Sequence, residues 1–136
     1  MNAMSHPRYA AAAALALASI VLLSGCTAPQ DAFTDLRGDR ERRDELPQLA
    51  EYAYDDVEVS TSRFVGEHDG TSLWLALGRE DSGICIVADA GEDAWVVGCG
   101  GETIKIGGIA GTYEVLPDAA TAPEGATKVS ENVYAW

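Results

Sequence analysis

Ile84-Cys85-Ile86-Val87-Ala88-Asp89-Ala90-Gly91-Glu92-Asp93-Ala94-Trp95-Val96-Val97-Gly98-Cys99 reads as a β-hairpin. Two short β-branched and aromatic runs flank a polar, Gly-containing segment, the pattern of two strands and their turn. If the hairpin is centred on Glu92, Cys85 falls opposite Cys99, and Val87 opposite Val97. Directly opposed Cβ atoms lie about 4.5–5.5 Å apart, close to disulfide geometry. A Cys85–Cys99 bridge is therefore expected, and its register fixes which side chains share a face. One face carries Cys85, Val87, Trp95 and Val97; the other carries Ile84, Ile86 and Val96. Both faces are apolar, so both require cover.

The strand pattern continues on each side of the hairpin. Ser62 to His68 reads as a strand, and Asp69-Gly70 as a two-residue turn whose central positions need positive φ. Thr71 to Leu77 returns with Leu73, Leu75 and Leu77 on one face and Trp74 and Ala76 on the other. Beyond the hairpin, Thr103 to Ile106, Thr112 to Leu116 and Thr127 to Trp136 read as further strands, separated by Gly-rich or Pro-containing breaks. The Gly98–Gly101 and Gly107–Gly111 stretches read as turns and bulges. Before the strands, Leu46, Leu49, Ala50 and Ala53 recur at helical spacing, with Pro47 tolerated in a first turn. A short helix over Glu45–Tyr54 is expected to cover the sheet. The fold class is mainly β: a small antiparallel meander, rolled or barrel-like, with one short N-terminal helix and a disulfide hairpin.

The N-terminus carries an address. Met1 to Arg8 is short and weakly basic, Tyr9 to Leu23 is apolar, and Leu23-Ser24-Gly25-Cys26 follows. The apolar run is shorter than the roughly 20 residues that span a bilayer and suits a secretory leader. The four residues look like a bacterial lipobox, in which Cys26 takes a diacylglyceryl group and residues 1–25 are removed. Each buried methylene contributes about 0.8 kcal/mol, and two chains hold stably where one is marginal. Lipid attachment at Cys26 then places the chain on the extracytoplasmic face of the cell membrane. It also accounts for the odd cysteine among Cys26, Cys85 and Cys99, and an exported chain sits where disulfides persist.

The 136-residue chain has 9 Lys+Arg and 22 Asp+Glu. Removing residues 1–25 takes away only Arg8 of these, leaving 8 against 22 and a formal charge of −14. Such a surface is unsuited to nucleic acid, whose phosphates need basic partners, or to close docking on anionic head groups. Residues 26–44 read as a lipidated N-terminus and charged tether, with little apolar material, and 45–136 as a single β-rich domain. The Arg37-Gly38-Asp39 tripeptide within the tether is short enough to arise by chance.

The residues offer little chemistry. His68 is the only histidine after the leader, which excludes a multi-histidine zinc site. His68-Asp69 has the composition of a base and its orienting carboxylate but abuts a turn, and no G-x-S-x-G motif accompanies it. Asp55-Asp56-Val57-Glu58 and Asp89 to Asp93 are acidic without the D-x-[DN]-x-[DN]-G spacing of a calcium loop. No catalytic, cofactor or metal residue is assigned. Trp74, Trp95 and Trp136 are large for so small a domain, and whichever is exposed marks a binding surface.

Asp69-Gly70, Trp74, Gly83-Ile84-Cys85-Ile86-Val87, Trp95 and Cys99-Gly100 together resemble a pattern in small, mostly uncharacterised lipoproteins of high-GC Gram-positive bacteria. The S-x-R element of that pattern departs here, since Ser62 and Arg63 are adjacent. The resemblance covers about a third of the chain and implies no activity. The expectation is a lipid-anchored, non-enzymatic binding or interaction module of the cell envelope. Its alternatives are a small solute- or ion-binding lipoprotein, with an apolar pocket, and an envelope hydrolase with facing carboxylates.

Overall fold

Eight strands pair into two antiparallel four-stranded sheets in the computed structural model, which describes residues 29–136. Cys26 and the leader expected over residues 1–25 lie outside the described residues. The first sheet is a meander of β1 (Val57–His68), β2 (Thr71–Gly78), β3 (Ile84–Asp89) and β4 (Trp95–Gly100), in that order. The second contains β5 (Ile104–Gly108), β6 (Gly111–Val115), β7 (Thr127–Lys128) and β8 (Val133–Ala135), in the order β5-β6-β8-β7. The sheets do not close into a barrel. The last strand expected over Thr127–Trp136 is instead two short strands that fold back on each other, Thr127 opposite Ala135 and Lys128 opposite Tyr134.

The hairpin register is as expected. Cys85 pairs with Cys99 and Val87 with Val97, and the two sulfurs are bonded at 2.01 Å. Asp69 and Gly70 take φ of 48° and 82°, and His68 pairs with Thr71 across them. Two successive positive-φ residues match the right-handed twist of the strands they join.

One core lies between the sheets. Leu73 and Leu75 of β2, with Ile84, Ile86 and Ala88 of β3, meet Tyr113 and Val115 of β6 and Val133 and Ala135 of β8. Leu73, Leu75 and Ile86 are wholly buried, each contributing on the order of 1.5–3 kcal/mol relative to exposure. Gly98 brings β4 close to β5. A Cβ there would stand 2.7 Å from Ile106 Cγ2, so the missing side chain makes room for the second sheet. Gly98 thus lies inside β4 as the hairpin reading expects, and Gly100, expected as a break, is the last residue of that strand.

The other face of the first sheet carries a smaller cluster of Val57, Ala76 and Cys85, packed by Leu46, Tyr54, Val97 and Cys99. Residues 45–54 supply this cover as expected, but not as a helix. Only Glu51–Tyr54 forms a 3₁₀ turn, and the residues before it are irregular. So short a helix is marginal on its own. Leu46 reaches the sheet from irregular chain and Tyr54 from the 3₁₀ turn, and the Tyr54 hydroxyl donates to the Pro47 carbonyl at 2.6 Å.

The segment expected to be a tether belongs to the fold from Pro29 onward. Short 3₁₀ turns occupy Pro29–Ala32, Thr34–Leu36 and Arg42–Asp44. Phe33 and Leu36 are 4% and 6% exposed and join the main core. Polar groups complete the attachment. The buried Asp44 carboxylate accepts from the Phe64 and Glu41 amides at 2.8 and 2.7 Å, and Arg40 Nη2 donates to Ser62 Oγ at 2.8 Å. Arg37 of the Arg-Gly-Asp tripeptide is engaged by the Asp31 carbonyl and by Asp118.

Candidate functional site

The three tryptophans fall in three environments. Trp74 is 9% exposed, meets Phe64 edge-on at 5.4 Å, and donates its Nε1–H to the Arg43 carbonyl at 3.0 Å. It is a packing residue and drops out as a binding surface. Trp136 is 42% exposed, with Lys105 Nζ 3.8 Å from its ring centroid. Trp95 opens β4 and is half-buried on the outer face of the first sheet.

Trp95 does not stand alone. Tyr52, 69% exposed, lies 6.0 Å away between ring centroids at an interplanar angle of 51°. Between and below the two rings is a cleft of about 190 Å³, lined also by Ala53, Asp56, Val57, Val97, Gly98 and Cys99. Its floor is the bridged part of the hairpin. Both sulfurs sit 3.8 Å from the Asp56 carbonyl oxygen. The local chain explains the arrangement: in the 3₁₀ turn Glu51–Tyr54, Ala53 is buried against the sheet while Tyr52 points away. Nearby, burial and then the Asp89 carboxylate push the Tyr54 phenol up to about 12, so this hydroxyl stays protonated and tied to Pro47.

Tyr52 falls within the helix expected over Glu45–Tyr54, a reading that does not bring it to Trp95. The signal available was Tyr52-Ala53-Tyr54, a small residue between two aromatics. A single turn can sink the small residue against a sheet and leave one ring outside.

A second concavity lies at the N-terminal end of the described chain. It has a volume of about 530 Å³, and Pro29, Ala32, Phe33, Leu77, Ile84 and Pro117 give it apolar walls. Gly83, Gly101 and Glu102 complete the lining. Gly83 adopts φ +67°, and a Cβ there would fall 1.9 Å from the Gly100 carbonyl oxygen, so only glycine lets the β3 entrance approach the end of β4.

The remaining candidates are structural in their contacts. His68 Nε2 lies 3.3 Å from the exposed Asp69 carboxylate, and its ring meets the edge of Tyr113 at 6.4 Å. The Tyr113 hydroxyl donates to the Ala110 carbonyl at 2.7 Å. Asp118 is held below the usual carboxylate range, chiefly by the Asn132 side chain, with Thr34 and Arg37 adding to it. A catalytic acid needs the opposite shift. Among the described residues no three His, Cys, Asp or Glu side chains gather as a metal site, and no helix is long and apolar enough to cross a membrane. The chain matches no protein-family model, no curated protein and no solved structure.

Proposed function

We propose that this chain is a lipid-anchored, extracytoplasmic binding module that performs no chemistry of its own, and that Tyr52 and Trp95 form its recognition surface. The observation that carries the reading is the aromatic pair itself: two large rings in contact, one mostly exposed, over a cleft beside the Cys85–Cys99 bridge. Aromatic side chains set at a pocket dominate interface energetics. A bridged floor limits the ordering cost of binding, because the hairpin is already held in one register. The acidic surface favours a partner that is neutral or basic. The lipobox-like Leu23-Ser24-Gly25-Cys26 after an apolar run supports the envelope address.

The test is site-specific crosslinking in the native envelope, with a photoreactive amino acid in place of Tyr52. The expected result is a discrete adduct that disappears with Trp95→Ala and is absent when the same group replaces the exposed Glu124. No adduct from position 52, or equal adducts from 52 and 124, would overturn the reading.

A further inference from the structure

The 530 Å³ cavity has the dimensions of a small-molecule site, and such sites run from about 300 to 1,000 Å³. Its walls are apolar, and among the described residues Glu102 is the one charged member of its lining. Phe33 and Ile84, at 4% and 1% exposed, form its deeper side. A ligand suited to it is an alkyl chain with its polar end at the rim.

The position of the cavity selects which alkyl chain. Pro29, Ala32 and Phe33 line it, and they belong to the segment that follows Cys26. Two residues, Thr27 and Ala28, separate Cys26 from Pro29. Whatever their conformation, three residue steps reach at most roughly 11 Å. Any group bonded to Cys26 is thus held beside the cavity, at an effective concentration that a free lipid does not match.

We infer that the cavity receives one of the acyl chains carried on Cys26, so that the protein shelters part of its own anchor while the other chain stays in the bilayer. The inference rests on the lipid-anchor reading. Inserting the chain exchanges one apolar surrounding for another, so the balance between cavity and bilayer is set by packing against Ala32, Phe33 and Leu77.

The experiment uses the lipidated protein in nanodiscs of deuterated phospholipid, with a diazirine-bearing leucine analogue replacing Leu77 and, as control, Leu46 on the opposite face. Intact mass before irradiation reports the lipid on Cys26 independently. The expected product is an adduct joining the position-77 peptide to the lipidated N-terminal peptide, absent from position 46. Narrowing the cavity with Ala32→Trp is expected to lower its yield at least tenfold with the thermal midpoint unchanged. Should that variant not fold, Gly101→Trp serves in its place, because a Cβ at Gly101 meets nothing within 4 Å. An adduct to deuterated lipid only, no adduct, or equal adducts at 77 and 46 overturns the inference while leaving the anchor intact. A mass without diacylglyceryl overturns both, through a separate readout.

Discussion

Asp35 and Asn132, 97 positions apart, bind each other twice: the Asp35 amide donates to Asn132 Oδ1 at 2.9 Å, and the Asn132 amide donates to Asp35 Oδ2 at 2.9 Å. Asn132 is fully buried and spends its Nδ2 on the Leu116 carbonyl and Asp118. Ser130 adds a hydroxyl to the same Asp35 oxygen, and Thr34 and Arg37 both reach Asp118. The first described segment is thereby clasped to the last strands.

If the clasp holds the fold together, Asn132→Ala removes partners from Asp35, Leu116 and Asp118 at once. Leaving such groups unsatisfied costs about 1–3 kcal/mol. Phe33→Ala, a large-to-small change in the main core, is expected to cost about 3–5 kcal/mol. Urea unfolding of each variant checks both figures. A Phe33→Ala protein as stable as its parent would show that the segment is a tether after all.

The Cys85–Cys99 bridge joins residues 14 positions apart, and closing that loop is worth about 3 kcal/mol in the chain-entropy model. Replacing both cysteines by Ala is expected to lower stability by about that amount while the strands remain, because the neighbouring pairs Val87–Val97 and Ile86–Gly98 stay in place. Denaturant midpoints with and without reductant, together with far-ultraviolet circular dichroism, provide the check.

Tyr54 gives a pH dependence with a definite sign. Its folded pKa, raised to about 12, lies above the ordinary phenol value near 10, so the folded state holds the proton more tightly. The stability this contributes is fully present below pH 10 and is lost as pH rises toward 12. Tyr54→Phe is expected to cost about 1 kcal/mol at neutral pH, through the lost bond to Pro47, and to flatten the alkaline decline. Thermal midpoints at pH 8, 10 and 11.5 report both effects.

Gly98 tests how the sheets meet. Its missing Cβ is what admits Ile106, so Gly98→Val should overpack the junction of β4 and β5 and cost at least about 1–3 kcal/mol. Shortening the opposing side chain with Ile106→Ala should restore part of the loss. A double variant no better than the sum of its singles would place the strain elsewhere.

The first sheet was legible because its signals are local. Alternation in Thr71–Leu77, the Asp69-Gly70 turn and the symmetry of Cys85 and Cys99 about Glu92 each specify a register over a few residues. The clasp was not, because Phe33 and Leu36 are isolated apolar residues in a polar stretch, and the core they join is assembled from both sheets, as far along the chain as Val133 and Ala135. The helix expected over Glu45–Tyr54 failed for a related reason. Spacing of Leu46, Leu49, Ala50 and Ala53 permits a helix, but the nearby sheet face accepts Leu46 from irregular chain and Tyr54 from a single 3₁₀ turn. Of the proposed binding surface, Trp95 was visible in sequence. Its partner Tyr52 was not, because which ring of a Tyr-Ala-Tyr turn faces outward is decided by the surface beneath it.

Whether this chain is a bridged domain held to the membrane at Cys26 is decided by the intact mass of the protein extracted from the membrane fraction. The predicted mass is that of residues 26–136 with a diacylglyceryl group on Cys26, less two hydrogens that return on reduction. A chain that retains residues 1–25, carries no lipid, or has free thiols at Cys85 and Cys99 would contradict it.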